Sequence, residues 1–333
     1  MAAKSWKEWE KPLIELEDAL AKLKDAAKTA APAERAAIEA KIEEFEHRRD
    51  HYIDVMYSRL GPWEKVLVAR AEKRPYTLDY VQAIFSDFVE LDGDRRFGAD
   101  HAIVGGPAML DGKPVMIVGH QKGRNIQERQ FRNFAMAKPE GYRKAMRLFE
   151  MANRFGLPVI TFVDTPAADP GVEAEARGIS EALAASMLRM FELKVPTISV
   201  VIGEGGSGGA LAIAVANTVM MQEHAIYSVI PPEGCAAILW RAPEKASQAS
   251  AALRLTAQGA KEFQLIDEIL PEPRGGAHRD LPEAAVIVKE GITRHLMQQE
   301  SMSGEALKEE RYDKFRQMGF IIAPDDPQPL LFG

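Results

Sequence analysis

The sequence predicts an α/β fold in which paired strands alternate with helices. Apolar runs at residues 102–106 and 115–119 flank Asp111 and Gly112, a pair that supplies the positive φ angles of a tight hairpin turn. A helical segment follows at 139–155, so two strands and a helix form one unit. Strands and helices continue to alternate after it, which favours a sheet covered by layers of helices.

Composition indicates an ordinary globular protein and narrows its partners. The chain has 333 residues, of which 46% are hydrophobic and 27% charged, enough to bury a full core. A net charge of −7 and a pI of about 5.7 argue against binding to nucleic acid or to an acidic membrane surface. The single cysteine, Cys235, excludes an intrachain disulfide and a cysteine-rich zinc site. Residues 1–6 contain no apolar signal region and no later run is long enough to span a membrane, so we expect a cytoplasmic protein.

Residues 12–57 have the pattern of a helical hairpin. Apolar residues recur at three- and four-residue steps in two segments, which are separated by a break around Pro32. The apolar stripes are narrow, so we predict either a short antiparallel coiled coil or a docking arm for another subunit. His47 and His51 match half of a helical zinc site. No catalytic glutamate or third ligand accompanies them, so we interpret them as part of a solvated face.

Two further helical segments are predicted between residues 62 and 90, with Thr77 as the N-cap of the second. The polar loop that follows contains Asp92 and Asp94. Because the ligand series of a calcium loop does not continue, we interpret it as a turn or a ligand-facing loop.

The later elements follow the same alternation. Strands are predicted at 157–163, 195–202, 218–222, 225–230 and 264–270. Helices are predicted at about 173–193, up to Asn217 after the fourth strand, over most of 232–263, and at 281–299 and 303–318, with a loose tail after Ala323.

The most informative stretch is 203–209, where five glycines follow a β-branched strand and precede a helix. Glycine lets the backbone itself approach a ligand, because no Cβ intervenes. The N-terminal N–H groups of the helix would face that ligand, with the positive end of the helix dipole behind them. We therefore predict a site that holds a negative charge.

Two short patterns in this stretch suggest known kinds of site. Residues 203–208 match the G-x-G-x-x-G of a dinucleotide site, with Glu223 near the position of its ribose-binding acid, but the intervening helix is short. Residues 205–209 match the G-x-S-x-G nucleophile elbow around Ser207. The histidines that a hydrolase would need lie downstream in no telling setting: His224, His278 and His295.

A third interpretation is an oxyanion hole made of backbone N–H groups, without a side-chain nucleophile. Gly205 and Gly206 would offer donors, and a second loop near 119–123 could offer another. The paired strands favour this interpretation, because two loops could then contribute one donor each.

Five longer motifs occur in an order that is specific as a set. They are GHQKGR (119–124), KPEGYRKA (138–145), FVDTP (162–166), IGEGGSGGAL (202–211) and YSVIPPEGCA (227–236). Together they resemble the carboxyltransferase α subunits of the bacterial multi-subunit acetyl-CoA carboxylase. The resemblance extends from the N-terminal hairpin to about Leu296.

This resemblance implies a crotonase-like fold of the ClpP/crotonase type, a superhelix of repeated ββα units. It implies a helical hairpin at 1–58, a carboxyltransferase domain at 59–298, and a C-terminal helix and tail at 299–333. The implied reaction moves a carboxyl group from carboxybiotin, on a biotin carboxyl carrier protein, to acetyl-CoA. The product is malonyl-CoA, which commits carbon to fatty acid synthesis.

The same resemblance implies an α2β2 assembly with a homologous β subunit, which carries the zinc ribbon and would bind the acyl-CoA. A biotin carboxylase would load the carrier. No metal is then expected in this chain, and the lack of cysteine pairs agrees with that division.

Site residues are implied by matching the motifs position by position. The backbone N–H groups of Gly205 and Gly206 would stabilise the oxygen of the biotin ureido group, and the biotin nitrogen would act as base toward the acetyl methyl. Lys122, Gly123, Arg124 and Ser207 are weaker candidates for substrate binding, at CoA phosphates or the active-site wall. Solvated loop charges are the alternative interpretation of Lys122 and Arg124.

Three alanines depart from the family pattern. Ala167 replaces a glycine, and Ala135 and Ala137 replace a glycine and a proline before Lys138, which puts the loop conformation in question but not the reaction. Two other functions remain open. A stand-alone crotonase-type acyl-CoA hydratase or isomerase would need a carboxylate such as Glu204 aimed into the pocket. A non-catalytic scaffold would recruit partners through the hairpin.

Overall fold

A sheet of seven strands forms the centre of the computed structural model, which describes residues 5–321 and 330–331. The strands are β1 (Ile103–Leu110), β2 (Lys113–His120), β3 (Val159–Thr165), β4 (Thr197–Gly206), β5 (Thr218–Gln222), β6 (Ile226–Ser228) and β7 (Glu268–Leu270). They lie in the order β1-β2-β3-β4-β5-β7, and β6 pairs with the end of β4. Within this sheet β1 and β2 are antiparallel and the other neighbours are parallel.

Helices surround the sheet and form the N- and C-terminal parts of the described chain. The α-helices are α1 (Trp6–Trp9), α2 (Lys11–Thr29), α3 (Pro32–Tyr57), α4 (Pro62–Ala69), α5 (Thr77–Ile84), α6 (Ile126–Phe131), α7 (Pro139–Phe155), α8 (Val172–Ala176), α9 (Ile179–Phe191), α10 (Ser207–Leu211), α11 (Pro232–Trp240), α12 (Ala246–Ala252), α13 (Ala257–Glu262), α14 (Leu281–Gln299) and α15 (Gly304–Gln317). Two 3₁₀ turns lie at Asn133–Ala135 and Pro243–Lys245. The tail predicted after Ala323 lies outside the described residues, except for a short strand, Leu330–Leu331, that pairs with Phe320–Ile321.

The β1–β2 hairpin confirms the turn predicted from the sequence. Leu110 pairs with Lys113, so Asp111 and Gly112 form a two-residue loop. Their φ angles are 48° and 81°, the positive values that a tight hairpin requires.

Apolar side chains cover both faces of the sheet. Val159 and Val163 of β3 pack in the layer that contains α7 and α9, whereas Ile160 and Phe162 pack against α5 and α14. Every residue of β3 and β4 is buried. Parallel strands between two helix layers need such continuous apolar runs, and the predicted α/β architecture is therefore confirmed.

Some helices differ from the predicted ones. The segment predicted as one helix at 173–193 forms α8 and α9, with the left-handed Gly178 between them. Thr77 is the first residue of α5 and not its N-cap; its hydroxyl donates a hydrogen bond to the carbonyl of His120, and Tyr76 takes the cap position. Helix α6 was not expected, because its six residues show too little periodicity.

The predicted N-terminal hairpin is present as α2 and α3, and polar contacts fix its base to the segment between β7 and α14. Glu10 is fully buried and lies 2.9 Å from Nη2 of Arg279. Tyr57, at the end of α3, donates a hydrogen bond to Glu10, and Arg274 pairs with Asp50 on α3. This anchoring is compatible with both predicted roles of the hairpin, a coiled coil and a docking arm.

Arg311 joins the C-terminal helix α15 to the core. Its buried guanidinium donates hydrogen bonds to the carbonyl oxygens of Met190 (2.7 Å) and Leu193 (2.9 Å) and to Oδ1 of Asn217 (2.6 Å). The two carbonyl groups lie at the C-terminal end of α9, where helical partners are missing and the helix dipole favours a cation. Burial lowers the pKa of Arg311 to about 10, so the side chain stays charged at neutral pH.

Substitution Arg311→Met should lower the free energy of unfolding by about 2–4 kcal/mol, because methionine fills the space but leaves buried carbonyl groups without a donor. Urea unfolding measures the loss. Arg316→Met is the matched control on an exposed position of the same helix and should change stability by less than about 0.5 kcal/mol. Equal losses in the two variants would contradict this account of Arg311.

Candidate active site at the glycine turn

A β-bulge lies where β4 passes the end of β3. Val163 pairs with Val201, but the next pair is Thr165 with Gly205, so the β4 segment between these pairs is two residues longer. Below the bulge β4 pairs with β5, and above it residues 204–206 pair with β6. Bulges commonly re-aim strands beside functional sites, and beyond this one the glycines pair with β6 instead of β5.

A chain of ion pairs fills the space at the bulge. Lys122 Nζ lies 2.7 Å from Oδ1 of Asp164 and 2.9 Å from Oε2 of Glu204. Arg70 Nε lies 2.7 Å from the other oxygen of Glu204, and Arg70 Nη1 lies 2.6 Å from Oε1 of Glu233 on α11. We call these five residues the ion-pair chain. It connects the loop after β2, the ends of β3 and β4, and the helices α4 and α11.

The charges of this chain are set by how many cations each carboxylate meets. Burial raises the pKa of Glu204, but Lys122 and Arg70 outweigh burial and lower it to about 2. Burial raises the pKa of Asp164, which has only Lys122 as its ion-pair partner among the described residues. Burial lowers the pKa of Lys122, but its two carboxylates raise this pKa by more than burial lowers it, so the ammonium stays charged. Glu204 is therefore a fixed anion at neutral pH.

A narrow cleft opens in front of the glycines. Arg70, Gly205, Gly206, Ser228 and Pro231 are among its lining residues, and its volume is about 10 Å³, the space of roughly one water. Across the cleft the main chain approaches closely.

Gly206 is required by this close approach. A Cβ added to it would lie 1.9 Å from the carbonyl oxygen of Pro166 and 2.3 Å from its carbonyl carbon. No side chain fits there without moving the backbone. The corresponding atom at Gly208 would make only an ordinary contact, at 3.5 Å from Cδ1 of Leu183.

The structure brings some of the predicted site residues together and separates others. Gly205 and Gly206 end β4 at the cleft, and Lys122 contacts the neighbouring Glu204. Gly123 is buried against Glu128 and Arg129 of α6. Arg124 points elsewhere.

The guanidinium of Arg124 is held by protein groups. It pairs with Asp79, donates to the carbonyls of Glu72 (2.8 Å) and Arg74 (2.9 Å), and lies 4.0 Å from the ring centroid of Tyr76. Lys122 is likewise enclosed by two carboxylates. Lys122 and Arg124 were predicted to bind CoA phosphates, but both cations are already paired with carboxylates of the protein.

Ser207 starts α10 with a φ angle of 54°, an unusual value for a non-glycine residue. The elbow pattern would need a histidine beside it, but His278 contacts Glu10 and His295 contacts Glu268. Helix α10 has only five residues and ends at Leu211, not near Asn217 as predicted, so its dipole is short. This short helix also disfavours a dinucleotide site, which uses a full helix after its glycines.

The loops that hold the alanine departures pack beside this site. Ala135 has a φ angle of 62°, a left-handed conformation that favours glycine. Oγ1 of Thr165 lies 2.7 Å from the carbonyl oxygen of Ala135 and 2.6 Å from that of Ala167, so these two acceptors share its single proton. Ala135 is therefore accommodated in the left-handed conformation that glycine would take.

Other predicted features have structural roles. Oδ1 of Asp94 accepts hydrogen bonds from the N–H groups of Arg96, Phe97 and Gly98, so this loop is the predicted turn. His47 and His51 lie on an exposed face of α3. Within residues 5–319 no three His, Cys, Asp or Glu side chains are grouped to hold a metal ion. Across the helices that the structure describes, none is both long and apolar enough to cross a membrane.

Sequence reasoning missed Arg70, Asp164 and Glu233 as parts of the site. Asp164 and Glu233 lie inside motifs that carry the family resemblance, which was a usable signal. Arg70 carried none, because it is 134 residues from Glu204 and lies at the end of an otherwise apolar helix.

The fold is shared with solved structures of other proteins. The chain is similar to a subunit in the structure of a Pseudomonas malonate decarboxylase hetero-tetramer in complex with coenzyme A, with a TM-score of 0.56 and 18% identity over 72% of this chain and 92% of that one. It is also similar to transcarboxylase 12S, with a TM-score of 0.55 and 20% identity over 69% of this chain and 43% of that one. These similarities confirm the predicted crotonase-like fold.

Sequence relatives identify the family. Residues 6–319 match the model of the acetyl co-enzyme A carboxylase carboxyltransferase-like family. The acetyl-coenzyme A carboxylase carboxyl transferase subunit alpha of Geobacter metallireducens is 53% identical over 96% of this chain and 98% of its own length. That of Thermus thermophilus is 51% identical over 95% and 99%. The chain belongs to this family of carboxyltransferase α subunits, and the resemblance seen in its motifs is confirmed.

Substitution Glu204→Gln should destabilise the protein at pH 7 by about 3 kcal/mol, because the folded pKa of about 2 lies below the ordinary value of 4.5. A depressed folded pKa stabilises the protein above the unfolded pKa, and this contribution is lost as pH falls from about 4.5 toward 2. Urea unfolding of both proteins across pH 7 to 3 should therefore show their stabilities converging in acid.

Glu90→Gln removes a charge of the same sign from an exposed position and is the control for this experiment. It should leave stability within about 0.5 kcal/mol at every pH. A Glu204→Gln deficit that stays constant down to pH 3 would show that the carboxylate is not held by Lys122 and Arg70 as described.

Proposed function

We propose that this chain is the biotin-binding half of a two-subunit carboxyltransferase. With a β subunit it would transfer the carboxyl group of carboxybiotin, on a carrier protein, to acetyl-CoA and so form malonyl-CoA. The glycine turn at Gly205 and Gly206, in a cleft where no side chain fits, is the observation that carries the proposal. Family membership supports the same reaction.

The chain's own contribution would be electrostatic. Carboxybiotin supplies the transferable carboxyl group, and its ureido nitrogen supplies a base. The backbone N–H groups of Gly205 and Gly206 would donate hydrogen bonds to the ureido oxygen, where negative charge increases in the transition state. Donors fixed in advance at that position lower the barrier without reorganising during the reaction.

The ion-pair chain would support these donors. Glu204 directly precedes them, and both of its carboxylate oxygens are held by cations. The same contacts weigh against a stand-alone hydratase or isomerase, because a carboxylate with a pKa of about 2 is a poor general base near neutral pH. Glu204 therefore fits a positioning role better than an acid–base role.

The proposed partners follow from the division of labour between subunits. This chain would assemble with a zinc-ribbon β subunit as α2β2, receive biotin on its carrier protein from a biotin carboxylase, and act in the cytoplasm. The N-terminal hairpin, which ion pairs fix at its base, is the candidate docking arm.

Reconstitution tests the proposed reaction. The purified chain mixed with its β subunit, the carboxylated carrier and acetyl-CoA should form malonyl-CoA, whereas either subunit alone should not. An assembled α–β complex that transfers no carboxyl group would refute the proposal. Hydration of an enoyl-CoA by this chain alone would favour the hydratase instead.

Substitution Gly206→Ala should lower the turnover of the assembled enzyme about 100-fold, since the methyl group would displace a backbone donor from the cleft. Initial rates of malonyl-CoA formation measure the effect. Native mass spectrometry of the same samples separates a lost donor from lost assembly.

Gly208→Ala is the matched control, because its added methyl group makes only an ordinary contact two residues away. It should keep turnover within about threefold of the parent enzyme, well inside the loss expected for a missing donor. Normal turnover in an assembled Gly206→Ala enzyme would place the oxyanion hole elsewhere.

A further inference from the structure

Arg70 is the cation that faces the cleft. Among the described residues that line it, Arg70 alone carries a positive charge, and 30% of its side chain is exposed. Lys122 is not among the residues that line the cleft, and two buried carboxylates enclose its ammonium group. An anionic group that enters beside Gly205 and Gly206 therefore meets the guanidinium of Arg70 first.

The two sides of this guanidinium have different partners. Its Nε contacts Glu204, whose side chain is 9% exposed and which is also held by Lys122. Its Nη1 and Nη2 face Glu233, at 2.6 Å from Oε1 and 3.4 Å from Oε2. The side chain of Glu233 is 40% exposed. The inner contact is thus fixed, whereas the outer one is open to exchange.

The outer contact has the geometry by which arginine recognises carboxylates in general. Two guanidinium nitrogens facing two carboxylate oxygens form a planar fork, and any carboxylate can take the same position. Glu233 lies in the first turn of α11, directly after Pro231 and Pro232, which line the cleft. The pair therefore holds α11 against the glycine turn, where the cleft is only about 10 Å³ in volume.

We propose that Arg70 binds the carboxylate of the carboxylated donor, and that Glu233 occupies this position until the donor displaces it. The inference rests on the proposed function, since it assigns a further binding residue to the same site. Exchange of one carboxylate for another keeps the Arg70 fork paired. It also frees the start of α11, so the cleft widens only for a ligand that carries the right charge.

This exchange predicts different effects on the apparent affinities for the carboxylated donor and for uncarboxylated biotin. A site whose competent form is only partly populated binds its ligand more weakly by that fraction. Removing the competing charge of Glu233 should therefore strengthen binding of the carboxylated donor. Uncarboxylated biotin has no charge at the transferable position, so it gains nothing from Arg70 and competes less with Glu233.

The experiment measures two ligands in the assembled α–β enzyme. One is the carboxylated carrier, by its KM in malonyl-CoA formation. The other is uncarboxylated biotinyl carrier, by its inhibition constant in the same reaction. Glu233→Gln should lower the KM of the carboxylated carrier about threefold or more. Arg70→Lys, which keeps the charge but loses the fork, should raise the KM at least tenfold. Arg70→Lys should leave the inhibition constant within about twofold, because uncarboxylated biotin gains nothing from the fork, and Glu233→Gln should not raise it.

Glu244→Gln is the control, an exposed acid eleven residues along the chain from Glu233. It should change neither constant. A rise of both constants together in Glu233→Gln would show that the pair only supports the fold, and would overturn the inference. So would an unchanged KM in both Glu233→Gln and Arg70→Lys. An enzyme without transfer activity before any substitution would refute the proposed function, a separate result.

Discussion

One ammonium group placed between two buried carboxylates is the contact on which this site depends. Lys122 follows β2, and Asp164 and Glu204 lie near the ends of β3 and β4, so the three neighbouring strands are tied together at the same level. A buried charge without a partner is costly, and removal of Lys122 would leave Asp164 without its ion-pair partner among the described residues. Because Gly205 directly follows Glu204, the ion pairs of Glu204 also fix the position of the glycine turn.

The same contact explains why the sheet divides at this level. Below it β4 is an ordinary buried strand, paired with β3 and β5 and covered by apolar side chains. At the bulge the N–H of Glu204 turns to Oδ1 of Asp164 at 2.9 Å, and β4 leaves β5 for β6. An apolar interior and a polar cleft are thus joined by a strand that changes its neighbour. The half of β4 below the bulge provides rigidity, and the half above it gives a ligand access to the glycine turn.

The sequence predicted what depends on local rules. The Asp111-Gly112 turn and the buried runs of β3 and β4 follow from backbone preference and periodicity, and the structure has them. The glycines marked the site because an unusual density of glycine has few structural explanations. Thr77 was misplaced by one residue, since its hydroxyl is used in a contact with distant His120, which no local rule contains.

The charges of the site could not be read in the same way. Glu204 looked like a possible acid–base residue because its partners, Lys122 and Arg70, are far away in the chain. Lys122 and Arg124 looked like free loop cations for the same reason. Only the fold shows that each already has its counter-charge, and that the outer partner of Arg70, Glu233, is more exposed than Glu204.

The position of Arg311 also bears on how the protein is made. Its guanidinium donates hydrogen bonds to the carbonyl oxygens of Met190 and Leu193 and to the side chain of Asn217. All three of these residues leave the ribosome about a hundred residues earlier than Arg311. Near the N-terminus, Glu10 cannot form its ion pair until Arg279 has been synthesised. A nascent chain can form its hairpins and local helices during synthesis, but its interior lacks these cations until translation is nearly complete. We expect truncated products of this gene to stay incompletely folded, so that quality control removes them before they compete for a partner subunit.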